Sequence, residues 1–156
     1  MNDAGITSDA DTTDSVCDID TTTSDLECTL KAAIEQANSD SSQSYEILIG
    51  SGRYCADQVF EISAPVAITG NSDGSTIIDG GNAHLSSAAC AAAPSGERIF
   101  KVTSGYSFSI SYLTLMGGTN SEGGNAIYTE DSVTLSISHS SLMFNGRKFL
   151  WWWHLF

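Results

Sequence analysis

Two ten-residue segments of the chain share one pattern of hydrophobic and polar positions. Residues 107–116 and 134–143 lie 27 positions apart, and each begins with apolar residues that alternate with serine. The identical pairs are Ser109/Ser136, Ile110/Ile137, Ser111/Ser138, Leu115/Leu142 and Met116/Met143. Alternation with a period of two predicts short strands that each bury one face. A strand repeat of roughly 20–50 residues is typical of stacked coils.

Short apolar runs separated by Gly, Asn and Asp fill most of the chain from Tyr45 onward. The runs predict strands at Glu46–Ile49, Val59–Ile62, Val66–Ile68, Thr76–Ile78 and Ile99–Val102, and turns at 50–52, 70–74 and 79–82. An Ala/Ser-rich stretch, residues 83–97, is expected to be an inserted loop. The pairs Phe100/Ile127 and Phe108/Leu135 keep the same 27-residue offset.

The fold class predicted from this pattern is an all-β solenoid, a parallel β-helix of few coils over residues 45–146. Ile110 should then stack on Ile137, and Leu115 on Leu142, inside the coils. An antiparallel sandwich is the alternative, which would require longer strands and hairpin turns.

One amphipathic helix precedes the strands. Ser24 is the expected N-cap, with Glu27 completing a capping box, and Asn38 ends the helix. Its apolar stripe comprises Leu26, Leu30, Ile34 and Ala37. A single helix cannot bury such a stripe alone, and the first coil of a solenoid needs a cover over its strand edges. Residues 24–44 are therefore predicted to be a capping helix and linker.

The charge of the chain is strongly acidic. Nineteen Asp and Glu against six Lys and Arg give a formal net charge of −13, which disfavours nucleic acid and anionic membranes as partners. Residues 1–23 are rich in Asp, Thr and Ser and are expected to be a flexible, solvated segment rather than a Ca²⁺ site. The sequence shows no signal peptide and no apolar run long enough for a transmembrane helix.

The four cysteines are Cys17, Cys28, Cys55 and Cys90. They form no Cys-x-x-Cys pairs and the three histidines are scattered, so a zinc site is poorly supported. An even number of cysteines in this composition favours disulfides and an oxidising compartment. Of the three possible pairings, Cys17–Cys28 with Cys55–Cys90 is favoured; four reduced buried thiols are the alternative.

The segment from Cys28 to Asn38, Cys-Thr-Leu-Lys-Ala-Ala-Ile-Glu-Gln-Ala-Asn, resembles the signature of bacterial surface β-helix proteins of the CSLREA-domain group. Residues 123–128 and 141–145 are similar to the Gly-Gly-Ala-Ile and Phe-x-x-Asn repeats of polymorphic outer-membrane proteins. The resemblance implies a right-handed parallel β-helix that begins at the helical cap. It also implies an adhesin-like protein that is extracellular or displayed at the cell surface or outer membrane.

Candidate chemistry is confined to charged residues near turns. Asp73, Asp79, Arg53 and Arg98 are the residues that a polysaccharide lyase or hydrolase could use, but turns select Asp for its backbone conformation. Structural roles are expected for both aspartates, and solvated positions for both arginines. His139 occupies the position of Tyr112 in the repeat and is expected to be a coil residue rather than a base.

The predicted function is therefore a non-catalytic binding or structural module, with no catalytic residue, cofactor or metal site. Its partner would be an unknown surface ligand, protein or glycan, and the module would be a monomer or self-associate through an exposed terminal coil. The alternative is a truncated fragment of a carbohydrate-active, pectate-lyase-like β-helix enzyme.

Residues 147–156 break the repeat and contain all three tryptophans. A truncated or frameshifted terminus, an aromatic anchor at a membrane interface, and a plug over the last coil are the three interpretations of this tail.

Overall fold

The computed structural model describes residues 8–13, 17, 28–81, 90 and 98–146, which form one helix and eleven short strands. The helix α1 spans Leu30–Ser39. The strands are β1 Tyr45–Leu48, β2 Gly52–Cys55, β3 Phe60–Ile62, β4 Val66–Thr69, β5 Thr76–Asp79, β6 Phe100–Val102, β7 Ser107–Ser111, β8 Thr114–Met116, β9 Ile127–Thr129, β10 Thr134–Ser138 and β11 Ser141–Met143. The predicted inserted loop 83–97, except Cys90, lies outside the described residues, as do most of segment 1–23 and the tail 147–156.

Three parallel sheets account for all eleven strands. Sheet 1 has the order β1-β4-β7-β10, sheet 2 the order β2-β5-β8-β11, and sheet 3 the order β3-β6-β9. The chain visits sheets 1, 2 and 3 in turn and then returns to sheet 1, and we call one such circuit a coil. This order is consistent with a parallel β solenoid. Since every strand pair described is parallel, the antiparallel sandwich alternative is wrong.

Like residues stack from coil to coil in the interior. Ile47, Ile68, Ile110 and Ile137 occupy one register position of sheet 1, so the expected stacking of Ile110 on Ile137 is confirmed. Leu115 pairs with Leu142 in sheet 2, as also expected. Phe100 lies between two further rings, with its centroid 5.6 Å from that of Phe60 and 5.0 Å from that of Phe108. These apolar ladders form the core.

The helix α1 begins later than the sequence predicted. Thr29 is its N-cap: the backbone there is extended and the hydroxyl accepts a hydrogen bond from the Ala32 N–H at 3.0 Å. The prediction that Ser24 caps this helix is wrong, because Thr29, five residues further on, is the N-cap and satisfies the Ala32 N–H. Residues 24–27 lie outside the described part of the chain.

The apolar stripe of α1 covers the first coil, as predicted. Leu30, Ile34 and Ala37 are buried and belong to the same core cluster as the inward residues of the strands. Leu26, the fourth residue of the predicted stripe, lies outside the described residues. Asn38 at the end of the helix donates to the Glu61 carbonyl at 2.8 Å and accepts from the Ser63 N–H at 2.8 Å. One side-chain amide therefore satisfies backbone groups at the outer edge of β3, which would otherwise be an open strand edge.

Strand β2 was not predicted. Residues 50–52 suggested only a turn, yet the Gly52 N–H donates to the Ser75 carbonyl at 3.0 Å and the strand continues to Cys55. Tyr54 points inward and pairs with Ile78, so this strand starts sheet 2. The strand was missed because a single buried residue among polar neighbours carries little hydrophobic signal.

Both cysteine pairs favoured from the sequence are disulfides in the structure. Cys17 is linked to Cys28, just before α1, and Cys55 at the end of β2 is linked to Cys90. Cys90 belongs to the long connection between β5 and β6, so the second disulfide ties this connection to the first coil. Two disulfides favour an oxidising, extracellular environment.

In the last described coil the inward apolar positions are exposed. Leu135, Ile137 and Leu142 hold the inward positions that Phe108, Ile110 and Leu115 hold one coil earlier, but the later set is 40–46% exposed. Every residue of β10 and β11 is exposed. The interior positions of the repeat therefore continue to the last described strand without cover from a further coil among the described residues.

The turn geometry repeats with the same 27-residue offset as the strands. Left-handed backbone occurs at Gly105 and Ser132, with φ of 86° and 61°, and again at Tyr112 and His139, with φ of 55° and 47°. The left-handed backbone strains Ser132, whereas its counterpart Gly105 adopts this conformation without a steric penalty. The coil shape is therefore maintained even where the residue type no longer favours it.

Candidate binding groove

The outer face of sheet 3 carries a row of polar side chains. Glu61, Lys101 and Tyr128 share one register position on β3, β6 and β9. They point outward because their neighbours Phe60 and Phe100 point into the core, and side chains alternate along a strand. Neighbouring strands lie about 4.8 Å apart, so the three side chains line up along the axis of the stack.

Lys101 is the centre of an ion-pair network on this face. Its Nζ lies 3.3 Å from Glu130 Oε1 and 3.6 Å from Glu61 Oε1. The N–H of Ser104 donates to Glu130 Oε2 at 3.1 Å, and this bond, followed by Lys101, lowers the pKa of Glu130. Glu130, followed by Glu61, raises the pKa of Lys101. Glu130 and Lys101 are therefore both charged near neutral pH.

Arg98 forms the second part of the face. Its guanidinium lies 4.3 Å from the centroid of the Tyr128 ring, and Nη2 is 3.7 Å from Glu122 Oε2. The side chain is only 10% exposed, so the expectation that Arg98 is a solvated charge is wrong. The ring of Tyr128 is the reason, since an aromatic face stabilises a cation that has lost water. Tyr128 itself remains accessible.

These residues border a concavity of about 440 Å³, which we call the sheet 3 groove. It is lined by acidic, basic, amide and aromatic side chains together with one valine: Val59, Glu61, Arg98, Lys101, Asn120, Glu122, Tyr128 and Glu130. The groove offers hydrogen-bond donors and acceptors side by side, together with the ring of Tyr128. Such a surface is suited to a ligand that both donates and accepts hydrogen bonds.

The structure brings two of the other candidates together away from the groove. Arg53 lies within β2, and its Nη1 is 2.5 Å from Oδ2 of the fully buried Asp79. The Gly81 N–H donates to Asp79 Oδ1 at 2.9 Å, and Met116 Sδ lies 3.5 Å from the same Arg53 nitrogen. Both Asp79 oxygens are therefore occupied by protein groups, as expected of a structural role. Arg53 is paired rather than simply solvated, which corrects the expectation for it.

Asp73 and His139 have local structural contacts. The Asp73 carboxylate accepts from the Ser75 N–H at 2.8 Å and from the Ser75 hydroxyl in an exposed turn, and these bonds lower the pKa of Asp73. The His139 ring stacks on Tyr112 with centroids 4.7 Å apart. His139 is therefore a coil residue, as the repeat indicated.

The sequence analysis missed Glu61, Lys101, Tyr128 and Glu130 as members of one surface. The offset of 27 does connect Lys101 with Tyr128. Glu61 is 40 positions before Lys101, because the long connection between β5 and β6 intervenes, and no fixed offset reveals the pair. Outward residues also lack the apolar signal by which strands are recognised.

Within the described ranges, no group of three or more His, Cys, Asp or Glu side chains is arranged to hold a metal ion. No helix in the described part of the chain has the length and apolar character needed to cross a membrane. Comparison of the chain with protein-family models, with curated proteins and with solved structures finds no match.

Proposed function

We propose that the chain is the helix-capped start of a right-handed parallel β-helix, part of an exported, surface-displayed protein with an adhesin-like, non-catalytic binding role. The observation that carries the proposal is the sheet 3 groove, in which accessible polar side chains are fixed by ion pairs that join successive coils. Side chains that are already paired lose less freedom when a ligand binds than unpaired ones do.

Right-handed coiling is supported by the connections within sheet 1. Each strand of that sheet returns to a parallel neighbour after passing through the other two sheets. Parallel crossover connections are right-handed in roughly 98% of known cases. The resemblance of residues 28–38 to the CSLREA signature supports the same hand.

Surface display is supported by the disulfides and by the charge. Cys17–Cys28 and Cys55–Cys90 favour an oxidising compartment. A net charge of −13 keeps an exposed module soluble. Location at the cell surface or outer membrane follows from the family resemblance and belongs to the proposal.

A binding role agrees better than catalysis with the charges in the groove. Glycoside hydrolysis uses a carboxylic acid with a raised pKa beside an ionised carboxylate. The pKa of Glu130 is lowered instead, by the Ser104 N–H and by Lys101. Glu61 shares the same lysine. The Glu130 carboxylate is therefore held ionised, which suits charge-based recognition.

An array of immobilised extracellular glycans and matrix proteins tests the proposal. The oxidised full chain should bind at least one class saturably, and Glu61→Gln should weaken that binding. Glu46→Gln is the matched control, since Glu46 is an exposed outward residue of β1 in a different sheet. Absence of binding, or binding that both variants retain unchanged, would contradict the proposal.

A parallel assay addresses the enzymatic alternative. The same protein is incubated with neutral and acidic polysaccharides, with and without Ca²⁺, and soluble fragments are sought by mass spectrometry. Fragment release that depends on the protein would replace the proposed function with a pectate-lyase-like one.

A further inference from the structure

A second concavity adjoins the sheet 3 groove. It lies between α1 and the start of β3, has a volume of about 710 Å³, and we call it the helix cleft. Val59 and Glu61 line both the helix cleft and the sheet 3 groove. The two concavities therefore adjoin at β3, and together they border a surface that extends from α1 across β3 and β6 to β9.

The helix cleft combines an apolar floor with polar walls. Ile34 and Phe60 supply the floor, and Lys31 pairs with Glu35 across one helical turn at 3.9 Å. The Oδ1 atom of Asp57 is buried and has no hydrogen-bond partner among the described residues. A buried acceptor left without a donor costs stability, so a ligand that donates a hydrogen bond there would gain affinity.

The length of the combined surface favours a chain-like ligand. From β3 to β9 the surface crosses two strand spacings of about 4.8 Å each, and the helix layer adds roughly 10 Å. The polar row Glu61, Lys101 and Tyr128 follows the axis of the stack. An extended polymer along that axis would contact the three coils that contribute strands to sheet 3, whereas a compact ligand would fill only one concavity.

The charges select against a polyanion. Five carboxylates line the two concavities, from Glu35, Asp57, Glu61, Glu122 and Glu130, against three cations, from Lys31, Arg98 and Lys101. The chain as a whole carries −13, which repels polyanions. Alternating donors and acceptors match hydroxyl groups, each of which can donate and accept. The accessible ring of Tyr128 adds aromatic surface for the C–H face of a sugar ring.

We infer that the helix cleft and the sheet 3 groove form one continuous site for a linear, uncharged, hydroxyl-rich polysaccharide lying along the coil axis. The inference rests on the proposed binding function and names its ligand class. Asp57 accepts from a sugar hydroxyl at the helix end of the site, and Tyr128 contacts a ring at the far end.

Calorimetry tests this inference. It measures the affinity of the oxidised full chain for linear, uncharged β-glucan oligosaccharides of two to eight sugar residues. Affinity should rise with length until both concavities are occupied. Asp57→Ala, which removes the acceptor, and Tyr128→Ala should each weaken binding of the longest oligosaccharide about tenfold, the loss expected for one hydrogen bond or ring contact. Asp131→Asn, in the exposed turn before β10, should change nothing. Circular dichroism of each variant verifies the fold.

Several results would overturn the inference. These are affinity that does not depend on length, tighter binding of polygalacturonate or oligolysine than of the glucans, or full affinity in Asp57→Ala and Tyr128→Ala. Groove-dependent binding of matrix proteins with no binding of glucans would refute this ligand class and leave the proposed binding function intact.

Discussion

The same residue at the same register position should contribute very differently to stability in two successive coils. Ile110 in β7 is 1% exposed, and Ile137, its partner in β10, is 42% exposed. Replacing each with alanine removes the same three carbons from the same ladder. The comparison isolates the effect of the open end from those of residue type and strand position.

The expected magnitudes follow from burial. Removing three methylene-sized groups loses about 2.4 kcal/mol of transfer free energy when the side chain is fully buried. A closed cavity around Ile110 adds to this loss, so Ile110→Ala should destabilise the fold by about 3–4 kcal/mol. At Ile137 the transfer loss shrinks to about 1.4 kcal/mol in proportion to burial, and no closed cavity forms.

Urea unfolding of both variants, followed by circular dichroism with the disulfides intact, measures the difference. The free energy of unfolding should fall at least twice as far for Ile110→Ala as for Ile137→Ala, with similar slopes against urea. Equal losses would show that Ile137 is covered in solution and would refute the description of an open end.

Four further changes test other features. Leu30→Asp places a charge under the helical cap and should cost at least about 3 kcal/mol in urea unfolding and increase aggregation by light scattering. Asp79→Asn removes the buried charge that binds Arg53 and should cost about 2 kcal/mol, whereas an unchanged midpoint would show that the pair is not needed. Ser132→Gly relieves left-handed strain and should raise stability by about 1 kcal/mol; a loss would contradict that origin. Because the pKa of Glu130 is lowered in the folded state, its ionised carboxylate stabilises the fold at pH values above the ordinary glutamate pKa of about 4.3. This stabilisation is lost as the pH falls through the pKa of the folded state. The melting temperature should therefore decline less with acid in Glu130→Gln than in the unchanged protein, and parallel curves would count against the contribution.

Much of the strand arrangement could be predicted because apolar residues repeat where coils stack. The shared 27-residue offset of Ile110/Ile137 and Leu115/Leu142 is enough to indicate both the parallel pairing and its register. The helix cover over the first coil followed from its apolar stripe. Strand β2 could not be predicted, since only Tyr54 within it is buried. The helix start was misplaced because Thr29 and Ser24 both look like caps in sequence.

The groove could not be predicted for a related reason. Glu61, Lys101 and Tyr128 are polar residues on three different strands. They become neighbours only through the register in which these strands pair. The burial of Arg98 depends on Tyr128, thirty positions later. Both residues look solvated in their local sequence, since nothing near either one indicates the other.

The unequal lengths of the coils bear on how this chain can be altered. Partners in sheet 1 are 21 positions apart for Tyr45 and Val66, 42 for Val66 and Phe108, and 27 for Phe108 and Leu135, yet the register is kept throughout. Doubling a flexible connection costs only about 0.6 kcal/mol. The connection between β5 and β6 is therefore a position where a segment can be exchanged, lengthened or grafted. The Cys55–Cys90 disulfide would link the inserted segment to the first coil.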